Sequence, residues 1–154
     1  MQNAELLLLV DDNVDNLKVL SNLLKREYRV KVATGGHEAL RLAEGEPMPD
    51  LILLDVMMPE MDGYTVCERL KSNPRTREIP VIFVTAKTQT EDETRGFRVG
   101  AVDYVTKPIN PPVLWARVKA QLALAAQLRH THQELDEAGH HLICVTGERD
   151  RIEI

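Results

Sequence analysis

Short apolar runs alternate with amphipathic stretches along most of the chain. Five of these runs are bounded by turn-forming residues and are too short for helices, so we predict that they are strands, the first of them buried. The predicted strands lie at residues 5–10, 28–33, 51–54, 81–84 and 102–105. Between them, apolar residues recur at spacings of three and four, as in Leu17, Leu20 and Leu24, which predicts amphipathic helices.

Glycine and proline residues mark the ends of the predicted helices. Gly45 ends the second helix, Asn73-Pro74 ends the third, and Pro111-Pro112 opens the last. A polar stretch at about 88–99 predicts a further helix before the fifth strand. The last predicted helix continues to about Ala138, where Gly139 is expected to end it.

Five successive strand–helix units predict an α/β fold, a doubly wound parallel sheet with helices on both faces. The natural candidate is the flavodoxin-like (βα)5 arrangement, with a five-stranded sheet in the order 2-1-3-4-5. The last helix would extend beyond this domain. In such sheets, ligands bind beyond the carboxyl ends of the strands, at the point where the strand order reverses. The functional residues are therefore expected there, between the first and third strands.

Polar side chains follow four of the five predicted strands. Asp11 and Asp12 follow the first, Asp55 the third, Thr85 the fourth, and Lys107 the fifth, directly before a proline. Because the strands are predicted to be parallel, these side chains should converge at one edge of the sheet.

The charges of this set predict its chemistry. At an effective dielectric constant of about 20, two carboxylates about 4 Å apart repel by about 4 kcal/mol. A site with three of them must raise a pKa or bind a cation, and oxygen ligands favour Mg²⁺. One carboxylate could then attack phosphorus, while the Lys107 ammonium and the Thr85 hydroxyl bind phosphoryl oxygens.

Three longer motifs contain these residues. Residues 50–63 read DLILLDVMMPEMDG, residues 84–87 read VTAK, and residues 100–108 read GAVDYVTKP. Together with Asp11-Asp12, this ordered set resembles the receiver domain of two-component response regulators, over about residues 5–125. The resemblance implies a CheY-like version of the predicted fold and a phosphorylation-dependent signalling function.

The resemblance also implies a role for each residue of the site. Asp55 would accept the phosphoryl group from a sensor histidine kinase. Asp12 would bind Mg²⁺ directly, Asp11 through water, and Met57 through its backbone carbonyl. Lys107, with a cis bond to Pro108, would pair with the phosphoryl group.

A conformational switch is implied as well. Thr85 would move to bind a phosphoryl oxygen, and Tyr104 would then turn inward. The alternative for Tyr104 is a half-buried strand aromatic with no switching role.

Charge and composition narrow the range of partners. The 154 residues include 19 basic and 24 acidic side chains, a formal charge of −5, which argues against a direct nucleic-acid binder. The longest apolar runs, 6–10 and 51–54, are far shorter than the ~18 residues of a membrane span. Cys67 and Cys144 form no pair with zinc-ligand spacing, and a cytoplasmic location is expected.

The C-terminal region carries a weaker pattern. We expect the receiver at residues 1–125, an extended helix or coiled-coil linker at 126–138, and at 139–154 a flexible tail or the start of an output region. Apolar residues recur at spacings of four and three from Leu114 to Leu135, although Gln121 and His132 interrupt the seam. A solvated, overhanging helix is the alternative to a seam that pairs two copies.

The C-terminal half of the sequence offers candidate dimer surfaces and a resemblance that bears on the output domain. A homodimer could form through the last helix, or through the helix at 88–99, the fifth strand and the last helix together. The run from Gly100 to Leu128 resembles receivers that precede a cyclic-di-GMP phosphodiesterase of the HD-GYP type. The histidines of the last helix fit a solvated helix end better than a metal site; they are His130, His132, His140 and His141.

Two other functions use similar residues. A haloacid-dehalogenase-like phosphatase would also use a strand-end aspartate and Mg²⁺, but it needs an aspartate where Asn13 stands if Asp11 is the nucleophile. A degenerate binding module that is never phosphorylated is the second alternative, and the intact acidic set argues against it. Met57 and Lys87 flank the site, and we expect them to slow hydrolysis of an acyl phosphate.

Overall fold

A computed structural model describes residues 4–86, 95 and 97–146, with side chains up to residue 129. Strands and helices alternate along the chain. The elements are β1 (Leu6–Val10), α1 (Val14–Leu24), β2 (Arg29–Ala33), α2 (Gly36–Glu44), β3 (Leu51–Asp55), α3 (Gly63–Ser72), β4 (Val81–Thr85), β5 (Asp103–Thr106) and a C-terminal helix (Pro111–Thr146).

The five strands form one parallel sheet in the order β2-β1-β3-β4-β5, which confirms the predicted topology. β1 and β3 are the neighbours at which the order reverses. The strands β1, β3 and β4 are buried along their whole length, as expected for a sheet covered on both faces. Reactive side chains of these three strands can therefore reach a ligand only at the strand ends.

Two apolar layers hold the helices against the sheet. On one face, Leu8 and Ile52 pack with residues of α2 and α3, such as Ala39 and Val66. On the other face, Leu9 and Leu53 pack with Leu17 of α1 and with Leu114 and Val118 of the C-terminal helix. The alternation of strand side chains between these two layers follows from the period of two along a β-strand.

Side-chain caps fix where two helices begin. The carboxylate of Asp62 accepts a hydrogen bond from the Thr65 N–H at 2.9 Å at the start of α3. The Asn13 side chain accepts one from the Asn16 N–H at 3.2 Å and starts α1. These bonds satisfy backbone donors that a helix leaves free in its first turn. Helix α1 therefore begins directly after the loop that carries Asp11 and Asp12, and α3 begins after the loop that follows Asp55.

The C-terminal helix departs from the prediction. Its backbone remains helical through Gly139 as far as Thr146, so the expectation that Gly139 ends the helix is wrong. A glycine inside a helix costs only about 1 kcal/mol relative to alanine, which residues around it can offset. Most of the predicted helix at 88–99 lies outside the described residues, although Arg95, Phe97 and Arg98 are helical.

The chain divides into two compact units, Met1–Leu122 and Ala123–Ile154. The first contains the sheet and its helices. The second is helical as far as Thr146, and its Leu124 and Leu128 side chains are about half exposed. Among the described residues, no helix combines the length and apolar character that crossing a bilayer requires.

Candidate functional site

The carboxyl ends of four strands bring the predicted polar residues together. Asp11, Asp55 and Thr85 are almost completely buried, and Lys107 reaches them from the end of β5. The Lys107 ammonium lies 3.0 Å from Asp11 Oδ2 and 3.5 Å from Asp55 Oδ1. One cation thus bridges the two carboxylates that follow β1 and β3.

Asp11 is held in place by several hydrogen bonds. Its Oδ1 accepts a bond from the Asn13 N–H at 2.9 Å, and its Oδ2 accepts one from the Asn16 side-chain amide at 3.2 Å. Its own backbone N–H donates to the Ala33 carbonyl of β2 at 3.2 Å. The first two bonds orient the buried carboxylate, and the third fixes the Asp11 backbone at the end of β1. The sequence pattern did not indicate this role for Asn13 and Asn16.

The three aspartates could hold a metal ion together. Asp11, Asp12 and Asp55 each offer an oxygen, and these oxygens lie within 4.8 Å of one another. Asp12 is exposed while the other two are buried, so the cluster opens to solvent on one side. Carboxylate oxygens with an open side suit Mg²⁺, which keeps several waters when it binds.

The electrostatics of Asp55 also favour a bound cation. Burial raises the pKa of Asp55 to about 6, and repulsion from Asp11 adds to this rise. The Lys107 ammonium and the Met57 N–H oppose it but do not cancel it. Nearby positive charge is therefore too small to stabilise the ionised Asp55 carboxylate fully, and a divalent cation would add to that stabilisation.

The loop after β3 folds back tightly on the Asp55 backbone. The Gly63 N–H donates to the Val56 carbonyl at 2.8 Å, and a Cβ atom at Gly63 would lie 2.3 Å from the Asp55 carbonyl oxygen. Glu60 in the same loop has a φ of 68°, in the left-handed region. Only glycine therefore fits at position 63.

The methionines of this loop differ from one another. Met58 and Met61 are buried in the core. Met57, in contrast, is 58% exposed. Its backbone N–H bonds to the Asp55 carboxylate.

Thr85 and Tyr104 lie on adjacent strands. Thr85 pairs with Thr106 in the register of β4 and β5, and its carbonyl accepts a bond from the Lys107 N–H at 2.8 Å. The peptide bond between Lys107 and Pro108 is cis, as the resemblance implied. The Tyr104 ring is half-buried and meets the Phe97 ring edge-on, with 6.1 Å between the ring centroids.

The other residues named in the sequence analysis either lie apart from this site or fall outside the residues that the structure describes. Cys67 is buried on α3, its Sγ lies 3.4 Å from the Val99 carbonyl, and burial raises the pKa of its thiol to about 11. Cys67 therefore has a packing role in the core. Lys87 and the side chains of Cys144 and the four C-terminal histidines lie outside the described residues.

Comparisons with known proteins show which family the chain resembles. The family model described as response regulator receiver domain matches residues 7–119. A Vibrio cholerae protein named probable cyclic di-GMP phosphodiesterase is 42% identical over 96% of this chain and 33% of its own length. Response regulator PleD of Caulobacter vibrioides is 39% identical, over 96% of this chain and 32% of its own length.

One solved structure with the same fold holds a magnesium ion of its own. The receiver domain of sensor histidine kinase PA1611 from Pseudomonas aeruginosa, with a magnesium ion in its active site cleft, is 30% identical. It matches with a TM-score of 0.72, over 78% of this chain and 98% of its own. The chain spans about a third of the length of the curated relatives named above.

Proposed function

Because the chain belongs to the response regulator receiver family, we propose that Asp55 is the residue that accepts the phosphoryl group. Receiver domains take this group from histidine kinases, and the chain is such a signalling phosphoacceptor. The observation that supports Asp55 is its contact with Lys107, which also contacts Asp11. A buried carboxylate at the reversal point of the sheet is thus placed beside a cation.

The reaction is a displacement at phosphorus. A carboxylate oxygen of Asp55 attacks the phosphorus of a phosphohistidine, and a P–O bond forms. The P–N bond breaks, and the leaving imidazole nitrogen keeps the electron pair. This transfer demands positioning and charge stabilisation rather than further covalent chemistry. The fixed end of β3 and the bound Lys107 supply the positioning.

The acidic cluster would hold Mg²⁺ in this reaction. Asp12 would bind it directly, Asp11 through water, and Met57 through its backbone carbonyl, beside Asp55. When bound, Mg²⁺ offsets the negative charge that accumulates between the carboxylates and the phosphoryl oxygens. Asp11 is already oriented by Asn13 and Asn16, so the chain has the ligand oxygens in place before any ion arrives.

Lys107 and Thr85 would hold the transferred group. The Lys107 ammonium can leave Asp11 and pair with a phosphoryl oxygen, and the Thr85 hydroxyl can donate to another. Tyr104 would then turn inward toward the space that Thr85 leaves. The phosphoryl group favours this state only by its differential interaction with the two arrangements, which makes the response a population shift.

The partners follow from the family and from the C-terminal helix. The phosphodonor would be a sensor histidine kinase. We infer an output domain beyond the C-terminal helix, and the relative named as a cyclic di-GMP phosphodiesterase makes an HD-GYP-type phosphodiesterase the first candidate. A second copy of the chain would pair through the half-exposed Leu124 and Leu128, or through the surface around β5.

The comparisons give no support to a haloacid-dehalogenase-like phosphatase. A degenerate module that binds partners without phosphorylation remains as the second function to test. Its site would lack a reactive carboxylate, and the short distances among Lys107, Asp11 and Asp55 argue for a reactive one.

The deciding experiment is intact-mass spectrometry after incubation with acetyl phosphate. Wild type and Asp55→Asn are compared, each with and without Mg²⁺. We expect one added phosphoryl group that requires both Asp55 and Mg²⁺. An adduct of equal yield on Asp55→Asn would contradict the proposal. No adduct and no phosphate release from a wild type that binds Mg²⁺ would support the degenerate module instead.

A further inference from the structure

The described helical residues between β4 and β5 carry two side chains that contact different parts of the domain. Arg95 and Phe97 are two positions apart, so on a helix they point about 200° away from each other. Arg95 faces α3 and Phe97 faces β5, as their ring contacts show. This helical segment therefore contacts α3 through one side chain and β5 through the other.

The attachment to α3 is a cation–π contact. The Arg95 guanidinium lies 4.3 Å from the centroid of the Tyr64 ring. Tyr64 is buried and in turn meets Phe83 of β4 edge-on, with 5.3 Å between the centroids and 74° between the planes. Phe83 lies two residues before Thr85 on the same strand. Arg95 is thus anchored to a rigid part of the core.

The attachment to β5 is the edge-on contact between Phe97 and Tyr104. The interplanar angle is 75°, the favourable arrangement of two aromatic rings. Phe97 is 49% exposed, so the core does not require a ring there, and its described aromatic partner is Tyr104. An inward turn of Tyr104 would give up this contact.

We infer that Phe97 is a positioning residue that holds the Tyr104 ring in its half-buried position and opposes a further inward turn, with Arg95 anchoring the segment that carries it. This inference rests on the proposed switching role of Tyr104. A favourable contact made in one of two states lowers the population of the other. A ligand that binds only the inward state has an apparent affinity proportional to the population of that state, so its affinity falls as that population falls.

The test is the affinity for beryllofluoride, which binds an aspartate carboxylate and mimics a phosphoryl group, measured by fluorine NMR with Mg²⁺ present. For Phe97→Ala we expect binding about 2- to 10-fold tighter than for wild type, the range for loss of one aromatic pair. Phe97→Tyr keeps the ring edge and should match wild type. Arg95→Ala should change the affinity in the same direction as Phe97→Ala.

Two controls separate this role from a purely structural one. Val19→Ala removes a side chain of similar exposure, 52%, on α1 and should leave the affinity unchanged. In a Tyr104→Ala background, Phe97→Ala should have no further effect, because the ring on which it acts is gone. Phe97→Leu serves as a second variant if the alanine variant does not fold.

The outcomes distinguish the inference from its premise. Binding to wild type but not to Asp55→Asn would support the proposed phosphoacceptor. If that holds and Phe97→Ala leaves the affinity unchanged or lowers it, the inference alone is overturned. The same follows if Phe97→Ala acts equally with and without Tyr104. If wild type shows no Asp55-dependent binding, the proposed function fails and the inference fails with it.

Discussion

The Lys107 ammonium lies 3.0 Å from the Asp11 carboxylate, although the two residues are 96 positions apart in the chain. The same ammonium lies 3.5 Å from Asp55. Lys107 therefore neutralises part of the carboxylate charge to which a divalent cation would bind. Under the proposed function, Lys107 pairs with these carboxylates before phosphoryl transfer and with the phosphoryl group after it.

This competition predicts the behaviour of Lys107→Met. Without the ammonium, the three carboxylates attract a cation more strongly, so Mg²⁺ should bind several-fold tighter, as measured by calorimetry. Phosphorylation by acetyl phosphate should nevertheless be much slower, because the phosphoryl oxygens lose their cation. Weaker Mg²⁺ binding in this variant would show that Lys107 does not compete for these oxygens.

The raised pKa of Asp55 predicts a stability gain in Asp55→Asn. The pKa rises from an ordinary value of 3.8 to about 6 in the folded state, so between these pH values the folded state binds more protons than the unfolded state. The free energy of unfolding of wild type therefore falls as pH rises from about 4 to 6 and stays low above 6.

The amide in Asp55→Asn cannot ionise and avoids that loss. One pKa unit corresponds to about 1.4 kcal/mol, so we expect the variant to be more stable by roughly 1–3 kcal/mol at neutral pH without Mg²⁺. Urea unfolding at several pH values measures the gap, which should close near pH 4. Added Mg²⁺ should narrow it at neutral pH by stabilising wild type. A gap that is independent of pH would exclude the ionisation of Asp55 as its cause.

Thr85→Ala should separate phosphorylation from switching. The variant keeps Asp55 and the aspartate cluster, so its mass should still increase by one phosphoryl group. It lacks the hydroxyl proposed to bind a phosphoryl oxygen, so hydrogen exchange at residues 103–106 should change less upon phosphorylation than in wild type. Thr85→Ser keeps the hydroxyl and should behave like wild type. Equal affinity of phosphorylated wild type and Thr85→Ala for a signalling partner would refute this role.

Gly63→Ala should disrupt the loop that supports Asp55. The added Cβ would lie 2.3 Å from the Asp55 carbonyl oxygen, a backbone atom that cannot move without shifting β3. We expect a loss of about 3 kcal/mol in the free energy of unfolding and a lower phosphorylation rate. Gly35→Ala is the matched control, since its Cβ would meet no atom within 4 Å, and it should cost under about 1 kcal/mol.

The proposed pairing of two chains can be tested at the C-terminal helix. Leu124 and Leu128 are 49% and 50% exposed and lie four positions apart on one helix face. If they form a seam, Leu128→Gln should lower the dimer fraction measured by light scattering over a range of concentrations. Val19→Gln, on α1, should not. A monomeric wild type at every concentration would contradict this seam.

The sequence by itself determined the fold and the composition of the site. Continuous apolar runs located β1, β3 and β4, because burial on both faces of a parallel sheet requires them. Shorter runs with polar residues among them located β2 and β5, whose side chains are partly exposed, and spacings of three and four located α1 to α3. The strand order followed from chain connectivity, which allows few arrangements of such units. The polar residues at the strand ends were therefore expected at one edge, where the structure brings them together.

Only the tertiary structure decided how these residues contact one another. Neither the bridge of Lys107 between two carboxylates nor the fit of Gly63 against Asp55 is a property of local sequence. The same holds for the contacts of Arg95 and Phe97. Each depends on distances between segments far apart in the chain, and these distances are set by strand register and core packing. The helix beyond Gly139 was not predicted, because a glycine is a local signal for a helix end. The helix-forming residues around Gly139 offset the cost of a glycine inside the helix.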